Sequence, residues 1–410
     1  MLRIRRDARW ERGHEPEIAA AIDDLLAFGA LDGETLREAL AARLGPLRDG
    51  LLASPHHRER LAARGLSPSD LQTLDDLRAF PTLDRATLAE RWHDLAALSP
   101  DEDLVVVWSS GSTGTPVSVV RRAGESLHMW AVIAFLARRF GVDLPPRPRV
   151  VLLCALPDGV EYSARLPLLG DGALHRLSVR RPRTAERLAR VRPAIVTGDP
   201  ESLRWLSERP VTQPLLIVSS ALHLAADLRA ALPAPVADVY STTETGPIAW
   251  ACRAGSFHVL VPDVWVEELD GELVVTRLRP GALPLLRYRT GDRGSITFTP
   301  CGCGHRGPSV SGFVGRRACR FRTPAGAEVD AWQLAPLLRG LTLRDFRVTQ
   351  ETPADFLVEV SGEPPAELAA TVVRGLESLG FTAPRARVQA GARLDHGAKP
   401  EPFRSAAGAR

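Results

Sequence analysis

Apolar residues recur at three- and four-residue spacing through Pro16–Phe28 and Asp32–Leu52, the repeat that lays one face of a helix against a core. Shorter helices should follow, interrupted at Pro68 and Pro81, because proline removes a backbone donor and blocks helix continuation. From Leu104 the period changes. LVVVW (Leu104–Trp108), RVVLLCAL (Arg149–Leu156), AIVTG (Ala194–Gly198), LLIVSS (Leu215–Ser220) and VADVY (Val236–Tyr240) are short and β-branched, as buried strands are. Helical stretches at Glu125–Phe140 and Thr184–Val191 separate them. This alternation predicts an α/β fold: a large N-terminal domain with a mainly parallel sheet covered by helices. GELVVTRL (Gly271–Leu278) and GSITFT (Gly294–Thr299) alternate with period two and predict a small antiparallel, barrel-like region. After Gly315 come strands at Phe346–Thr349 and Asp355–Val360, a helix at Pro365–Leu379 and a strand at Arg385–Gln389. They predict a small α+β C-terminal domain. The pattern changes near Arg316–Arg320, so the expected division is 1–316 and 317–410.

Composition narrows the partners. A chain of 410 residues is too long for one small core. The net charge of +3 is spread along the chain, without the concentrated basic patch of a nucleic-acid binder. The arginine run Val179–Pro193 reads as a solvated helix face. The N-terminus MLRIRRDARWERGHEP lacks the apolar core of a signal peptide. No apolar run approaches the ~18–20 residues of a membrane span. A cytoplasmic protein with neither nucleic acid nor membrane as partner is expected. Five cysteines (Cys154, Cys252, Cys301, Cys303, Cys319) are few and odd in number, which suits thiols or metal ligands better than a disulfide frame. Cys154 sits in an apolar strand and reads as core. Arginine is used almost everywhere, with a single lysine, Lys399. A GC-rich coding background, suggested by the Ala, Arg, Pro and Gly bias, accounts for part of that rarity.

Four segments carry candidate chemistry. WSSGSTGTPVS (Trp108–Ser118) follows a strand, and its Ser109, Ser110, Gly111, Ser112, Thr113 and Gly114 could wrap an anion with hydroxyls and backbone N–H groups. No Gly-Lys-Ser/Thr ends it, so it is not a Walker loop; taken alone it is equally a flexible surface turn. VYSTTETG (Val239–Gly246) ends another strand, where open α/β sheets bind ligands. Tyr240 offers an aromatic face and Glu244 a hard oxygen for Mg²⁺; a Thr-Glu helix cap would look the same. LRYRTGDRG (Leu286–Gly294) places Asp292 after Gly291, where a carboxylate could take both hydroxyls of a ribose; the alternative is a solvated hairpin acid. Cys252-x5-His258 and Cys301-x-Cys303, with His305 nearby, offer three thiols and an imidazole. That set suits a closed tetrahedral structural zinc, if the fold joins its halves; otherwise these are unrelated free thiols.

In order and spacing, the first three motifs resemble the adenylate-forming acyl-CoA synthetases, especially their compact phenylacetate-CoA ligase branch. SSGSTGTP resembles the phosphate loop, YSTTE the Tyr-Gly-x-Thr-Glu element, YRTGD the ribose motif, and GFVGRR (Gly312–Arg317) the approach to the interdomain hinge. Ser54–Leu88 resembles the branch's N-terminal helices. The likeness extends over most of the chain. It implies that ATP and a carboxylate meet in the large domain, where the carboxylate attacks the α-phosphate while Mg²⁺ screens the charge. Acyl-adenylate and pyrophosphate form; the small, mobile domain then rotates and a CoA thiol takes the acyl group. It implies catalytic roles for Lys399, Glu244 and Thr243. It implies nucleotide contacts from Ser109 to Gly114, from Tyr240, Ser241 and Thr242, and from Asp292 and Arg316. In HGAKPEPF (His396–Phe403), Lys399 would bridge the carboxylate and the α-phosphate, a place for a compact ammonium rather than a planar guanidinium; otherwise it is a stray lysine in a tail. Some branch members hold a structural zinc with Cys-x-Cys ligands.

The chain also departs from the branch. Ser241 replaces a glycine, Val117 stands where the branch often has threonine, and His305 stands where it usually has arginine. Ala318-Cys319 replaces the acidic hinge pair, and the arginine-rich tail after the lysine is missing. The implied acid is a small aryl or arylacetic one, with Tyr162 and Trp250 as candidate pocket residues, and a homodimer is the candidate assembly. Two other readings stand beside this one. The first is an adenylating enzyme of specialised metabolism that passes its product to a separate carrier-protein thiol, an amine or another nucleophile. The second is a non-catalytic, zinc-stabilised nucleotide-binding protein.

Overall fold

The computed structural model describes residues 15–98, 104–108, 117–155, 161–166, 169–222, 224–313, 319–334, 337–338, 341, 343, 346–392, 394 and 402–406. The chain divides into two compact units. The first holds Met1–Val107, Ser118–Cys154 and Val160–Gly315; the main segment of the second is Arg316–Arg410. Among the described residues no helix is long and apolar enough to cross a membrane.

The first unit opens with helices α1 (Glu15–Phe28), α2 (Gly33–Ala41), α3 (Gly45–Ala53), α4 (Pro55–Ala62) and α5 (Arg85–Leu95). The helical stretch expected over Asp32–Leu52 is thus two helices. Pro46, in the first turn of α3, cannot sit in the interior of a continuous helix, since its ring would meet the carbonyl four residues back. Leu36, Leu40, Leu44, Leu47 and Leu51 still share one buried face, packed on Tyr240, Ile248, Val259 and Trp265. The short strands β1 (Leu104–Trp108) and β2 (Ser118–Arg122) pair with each other, and α6 (Ala123–Arg139) follows.

The main sheet is built from β3 (Arg149–Cys154), β4 (Tyr162–Leu166), β5 (Gly172–Ser178), β6 (Ile195–Gly198), β7 (Leu216–Ser220), β8 (Val236–Thr242), β9 (Gly246–Ala251) and β10 (Phe257–Val259). Strands β14 (Ser295–Thr297) and β15 (Ser309–Ser311) complete it, in the order β14-β15-β10-β9-β8-β7-β6-β3-β5-β4. Its centre is parallel: β5–β3, β3–β6, β6–β7 and β7–β8. Side chains alternate between faces with the strand period of two. Leu216, Val218, Ala237 and Val239 join a core with α1 and α6. Ile217 and Val236 join a second core with α7 (Thr184–Val191), α8 (Pro200–Ser207) and α9 (Ala226–Ala231). Helices cover both faces, as predicted for near-continuous apolar strands.

The antiparallel part differs from the expected barrel-like region. β11 (Val264–Leu269), β12 (Glu272–Arg277) and β13 (Tyr288–Arg293) form a three-stranded sheet. The second period-two run, β14, pairs instead with β15 and extends the main sheet. A local alternation records one buried face; it does not name the partner strand.

In the second unit, β16 (Arg320–Arg322) pairs with β17 (Glu328–Asp330). A sheet of β18 (Phe346–Gln350), β19 (Asp355–Val360), β20 (Arg385–Gln389) and β21 (Phe403–Ser405) accompanies α10 (Leu368–Ser378). Phe321, Phe346, Phe356, Val372, Leu376 and Phe403 form its core.

A buried ionic clamp fixes α6 against the end of β12. Glu125, near the start of α6, accepts from Arg277 Nη2 at 2.5 Å and from the Ala282 amide at 2.6 Å. Burial alone would raise the Glu125 carboxyl, but Arg277 and the Arg122 and Ala282 amides outweigh it and hold it below the usual range. A Cβ at Gly281 would overlap the Arg277 guanidinium, so this position requires glycine. We expect Gly281→Ala to displace Arg277 and take from a buried carboxylate its guanidinium partner. That should cost about 3–5 kcal/mol, read as a lower urea midpoint with little change in slope.

Asp238, in the centre of β8, is another buried charge. Desolvation pushes its carboxyl up to about 6, against the pull of Arg229 at 3.6 Å. The unfolded chain releases this proton near pH ~4, whereas the folded chain keeps it until about 6. Stability therefore falls as pH rises through that window and is level above it. Asp238→Asn should flatten this part of the profile, with a gain on the order of 2–3 kcal/mol at neutral pH relative to acid, measured by denaturant titration at a series of pH values.

Candidate nucleotide site and metal centre

Of the candidate nucleotide residues, Tyr240, Ser241, Thr242 and Asp292 are described, and they lie where β8 leaves the parallel part of the sheet. Tyr240 and Asp292, distant in sequence and on different sheets, meet: the Tyr240 hydroxyl donates to Asp292 Oδ2 at 3.0 Å. Both are buried, at 7% and 5% exposure, so Asp292 is no solvated hairpin acid. Its placement depends on Gly291, whose φ of +72° is open to glycine but disfavoured for other residues. The β12–β13 register shifts at this point, a bulge that re-aims the following side chain. Glu272 Oε1 accepts the Gly291 amide at 2.8 Å, and the Thr290 hydroxyl donates to the Leu273 carbonyl at 2.7 Å. Tyr240 also lies against Phe313, with ring centroids 4.2 Å apart.

Between β8 and β9 the chain turns tightly, and Gly246 has a φ of +81°. Thr242 Oγ1 accepts the Thr245 amide at 3.1 Å and lies 2.9 Å from the Thr245 hydroxyl. This is a hairpin with no helix after it, which removes the helix-cap reading of Thr-Glu. Ser241, Thr242 and Thr243 are half-buried and Glu244 is buried. Two arginines hold the turn: Arg121 Nη2, on β2, donates to the Thr243 carbonyl at 2.6 Å, and Arg85, on α5, forms an ion pair with Glu244. Burial, reinforced by Arg277, brings the Arg121 guanidinium down to about 10, so it remains a cation at neutral pH. A buried carboxylate is a good donor for Mg²⁺. Here that donor already has a guanidinium partner, so a metal on Glu244 would have to displace Arg85.

At the other end of β9 lies a compact donor cluster. The ligating atoms of Cys252, His258, Cys301 and Cys303 all fall within 4.8 Å of one another. Cys252 Sγ and Cys301 Sγ are 3.9 Å apart, and Cys303 Sγ lies 3.2 Å from His258 Nε2. Strand pairing makes the cluster: β9 is antiparallel to β10, and β10 to β15. The Cys301–His305 segment turns back on itself, with Cys301 N donating to the His305 carbonyl at 3.0 Å and Gly304 N to the Cys301 carbonyl at 3.0 Å. His258 Nδ1 sits 2.8 Å from Ser309 Oγ. A proton on Nδ1, donated to that hydroxyl, leaves the Nε2 lone pair facing the thiols, the arrangement that orients metal-bound histidines. Burial and then Arg139 bring His258 down to about 4, so the ring is neutral, as a ligand must be. The Cys303 amide lowers the Cys301 thiol, while burial raises that of Cys303. Three thiols and one imidazole in this space fit tetrahedral zinc with no open position.

His305 is not among the four donors. It packs on His258 at 4.3 Å between centroids and against Gly29, where an added Cβ would come within 3.1 Å of its Nδ1. Trp250 is core beside this cluster, 5.1 Å from His258 and 5.5 Å from Phe135. Tyr162 lies on β4 at the sheet edge, six strand positions from β9, so these two residues do not form one acid pocket. Ser109, Ser110, Gly111, Ser112, Thr113, Gly114, Arg316, Ala318 and Lys399 lie outside the described residues. Shortly after Lys399, Phe403 pairs in parallel with Val348 of β18. Arg85, Arg121 and Ser309 were not singled out from the sequence, because their roles depend on partners remote in the chain.

No protein-family profile matches the chain. It is similar to phenylacetate-coenzyme A ligases. For that of Aromatoleum evansii the identity is 25% over 275 residues, covering 58% of this chain and 61% of that protein. For that of Thermus thermophilus it is 26% over 297 residues, covering 64% and 66%. The matches thus span less than two thirds of these relatives' own length. Among solved structures, 2-hydroxyisobutyryl-CoA ligase in the postadenylation state with R3-HIB-AMP gives a TM-score of 0.57 at 16% identity over 91% of this chain and 90% of that one. The same enzyme with 2-HIB-AMP and CoA in the thioesterification state gives 0.55 at 18%, covering 90% of each. These structures share the fold.

If the donor cluster holds zinc, purified protein should contain one zinc per chain by elemental analysis. Cys301→Ser should lose most of it and destabilise the fold by about 3 kcal/mol or more, since metal binding is folding free energy. Zinc-free protein of unchanged stability would show the cluster to be four uncoordinated side chains.

Proposed function

From the premise that the chain belongs to the adenylate-forming ligase superfamily, we propose that it activates a small carboxylic acid with ATP. The products are an acyl-adenylate and pyrophosphate; the thiol of coenzyme A then attacks the acyl carbonyl, forming a thioester and releasing AMP. The observation that carries this reading is the buried Tyr240–Asp292 pair, whose Tyr240 lies on the same hairpin as Thr243 and Glu244. A carboxylate has two oxygens with several acceptor sites, the donor-matching chemistry that ribose hydroxyls require. The hairpin beyond it presents hydroxyls and fixed positive charge where phosphates would lie.

In this reading the substrate carboxylate attacks the α-phosphorus in line and pyrophosphate leaves. Such a step needs positioning and charge neutralisation more than proton transfer. Arg121 holds the Thr243 backbone and adds a desolvated positive charge beside the hairpin. Lys399 would supply the ammonium between the two oxyanions. Mg²⁺, when bound, screens the phosphates; Glu244 would hold it once Arg85 has released that carboxylate. The four-donor zinc cluster is structural in this scheme, pinning the far end of β9.

The finer assignment, a small aryl or arylacetic acid, is supported by the similarity to phenylacetate-coenzyme A ligases. A second acceptor class, a carrier-protein thiol or an amine, is favoured by one feature: Ala318-Cys319 stands in place of the acidic hinge pair, at the step that precedes acyl transfer.

ATP–pyrophosphate exchange over benzoic, hydroxy- and aminobenzoic, phenylacetic and short aliphatic acids tests the proposal. We expect exchange with an aromatic acid, reduced by about 10²-fold or more in Lys399→Ala, as when a transition-state charge is removed. AMP release that requires CoA would assign the acceptor. A flat response across the panel would favour a non-catalytic nucleotide binder.

A further inference from the structure

The charge of the donor cluster directs attention to a residue outside it. Three cysteine thiolates, a neutral imidazole and Zn²⁺ sum to one negative charge. A buried charge left without a partner is strongly unfavourable, and Cys252 and His258 are almost fully buried, at 2% and 0% exposure. Arg139, the last residue of α6, lies against this cluster. Its Nη2 donates to the Cys303 carbonyl at 3.0 Å and reaches Cys303 Sγ at 3.7 Å. Its guanidinium stands 5.4 Å from the centre of the Trp250 ring, which in turn packs on His258. Arg253, also near the cluster, is engaged elsewhere: it donates to the Phe140 carbonyl at 2.7 Å and stacks on the Phe140 ring. A cavity of about 330 Å³ opens beside Cys252 and Cys303, with both arginines in its wall.

We propose that Arg139 is the counter-ion of a zinc held by Cys252, His258, Cys301 and Cys303. It is a positioning residue: it touches a ligand sulfur, not the metal. Its charge offsets the net negative charge of the loaded site, and its Nη2 fixes Cys303 through both carbonyl and sulfur. The same contact ties the C-terminal end of α6 to the cluster, while Glu125 ties its N-terminal end to Arg277 and the Ala282 amide. Metal loading and the seating of α6 on β9 are then one event. This inference rests on the zinc reading of the cluster.

The test is zinc affinity of the full chain by competition with a chromogenic chelator, together with the rise in Tm on adding zinc to chelator-treated protein. We expect Arg139→Met and Arg139→Gln to lower zinc affinity about 10–100-fold, the range for lost outer-shell partners, and to shrink the zinc-dependent rise in Tm. Arg139→Lys, which keeps the charge but not the planar guanidinium, should fall between the parent and the Met variant. In cobalt-substituted protein, the sulfur-to-metal charge-transfer band should shift in the Met variant. If the Met and Gln variants hold zinc as tightly as the parent and lose only zinc-independent stability, Arg139 is a helix-end packing residue and the proposal fails. A parent that binds no zinc, unchanged by Cys303→Ser, would remove the zinc reading and this inference with it. Loss of affinity in Met and Gln from a parent that does bind zinc would sustain both.

Discussion

A buried charge must meet its opposite, and this chain, with one lysine, carries its positive charge almost wholly as guanidinium. The consequences run through the first unit. Arg277 reaches Glu125 and clamps α6 to the end of β12; Arg85 reaches Glu244 and Arg121 reaches the Thr243 carbonyl, so the β8–β9 hairpin is held from two sides. At the far end of the same strand and helix, Arg139 lies on the thiol cluster. A guanidinium suits these places because it stays charged when buried and presents several donors in a fixed plane. Each contact fixes an angle as well as a distance.

The result is a strand, β9, pinned at both ends. One end carries the hairpin with Thr243 and Glu244, the other the Cys252–His258–Cys301–Cys303 cluster. The packing of Trp250 on Phe135 and Phe140 couples strand to helix between them. Supports of this kind hold side chains at the hairpin in a fixed geometry.

Much of the frame was legible in the chain itself. The β-branched runs became the parallel strands β3, β6, β7 and β8, and α7 lies at Thr184–Val191 as the spacing predicts. These elements are legible because each has one or two buried faces that write their period into the residues. Errors arose where a partner mattered. Asp32–Leu52 kept its apolar face but broke at Gly45-Pro46, and the period-two run at Ser295–Thr297 joined the main sheet through β15. Trp250 and Tyr162, both aromatic and near motif residues, proved to belong to distant strands.

The sequence by itself determined the alternation of strands and helices, the order of the three motifs and the presence of three thiols and an imidazole at suggestive spacing. Those are properties of neighbours, set by period and residue type. Only the tertiary structure decided that Asp292 is buried under Tyr240, that Cys252 and His258 meet Cys301 and Cys303, and which few arginines hold the site. The reason is physical. A carboxylate, thiol or guanidinium acquires its role from the charge and solvent around it, and those are supplied by residues that the fold, not the chain, makes adjacent.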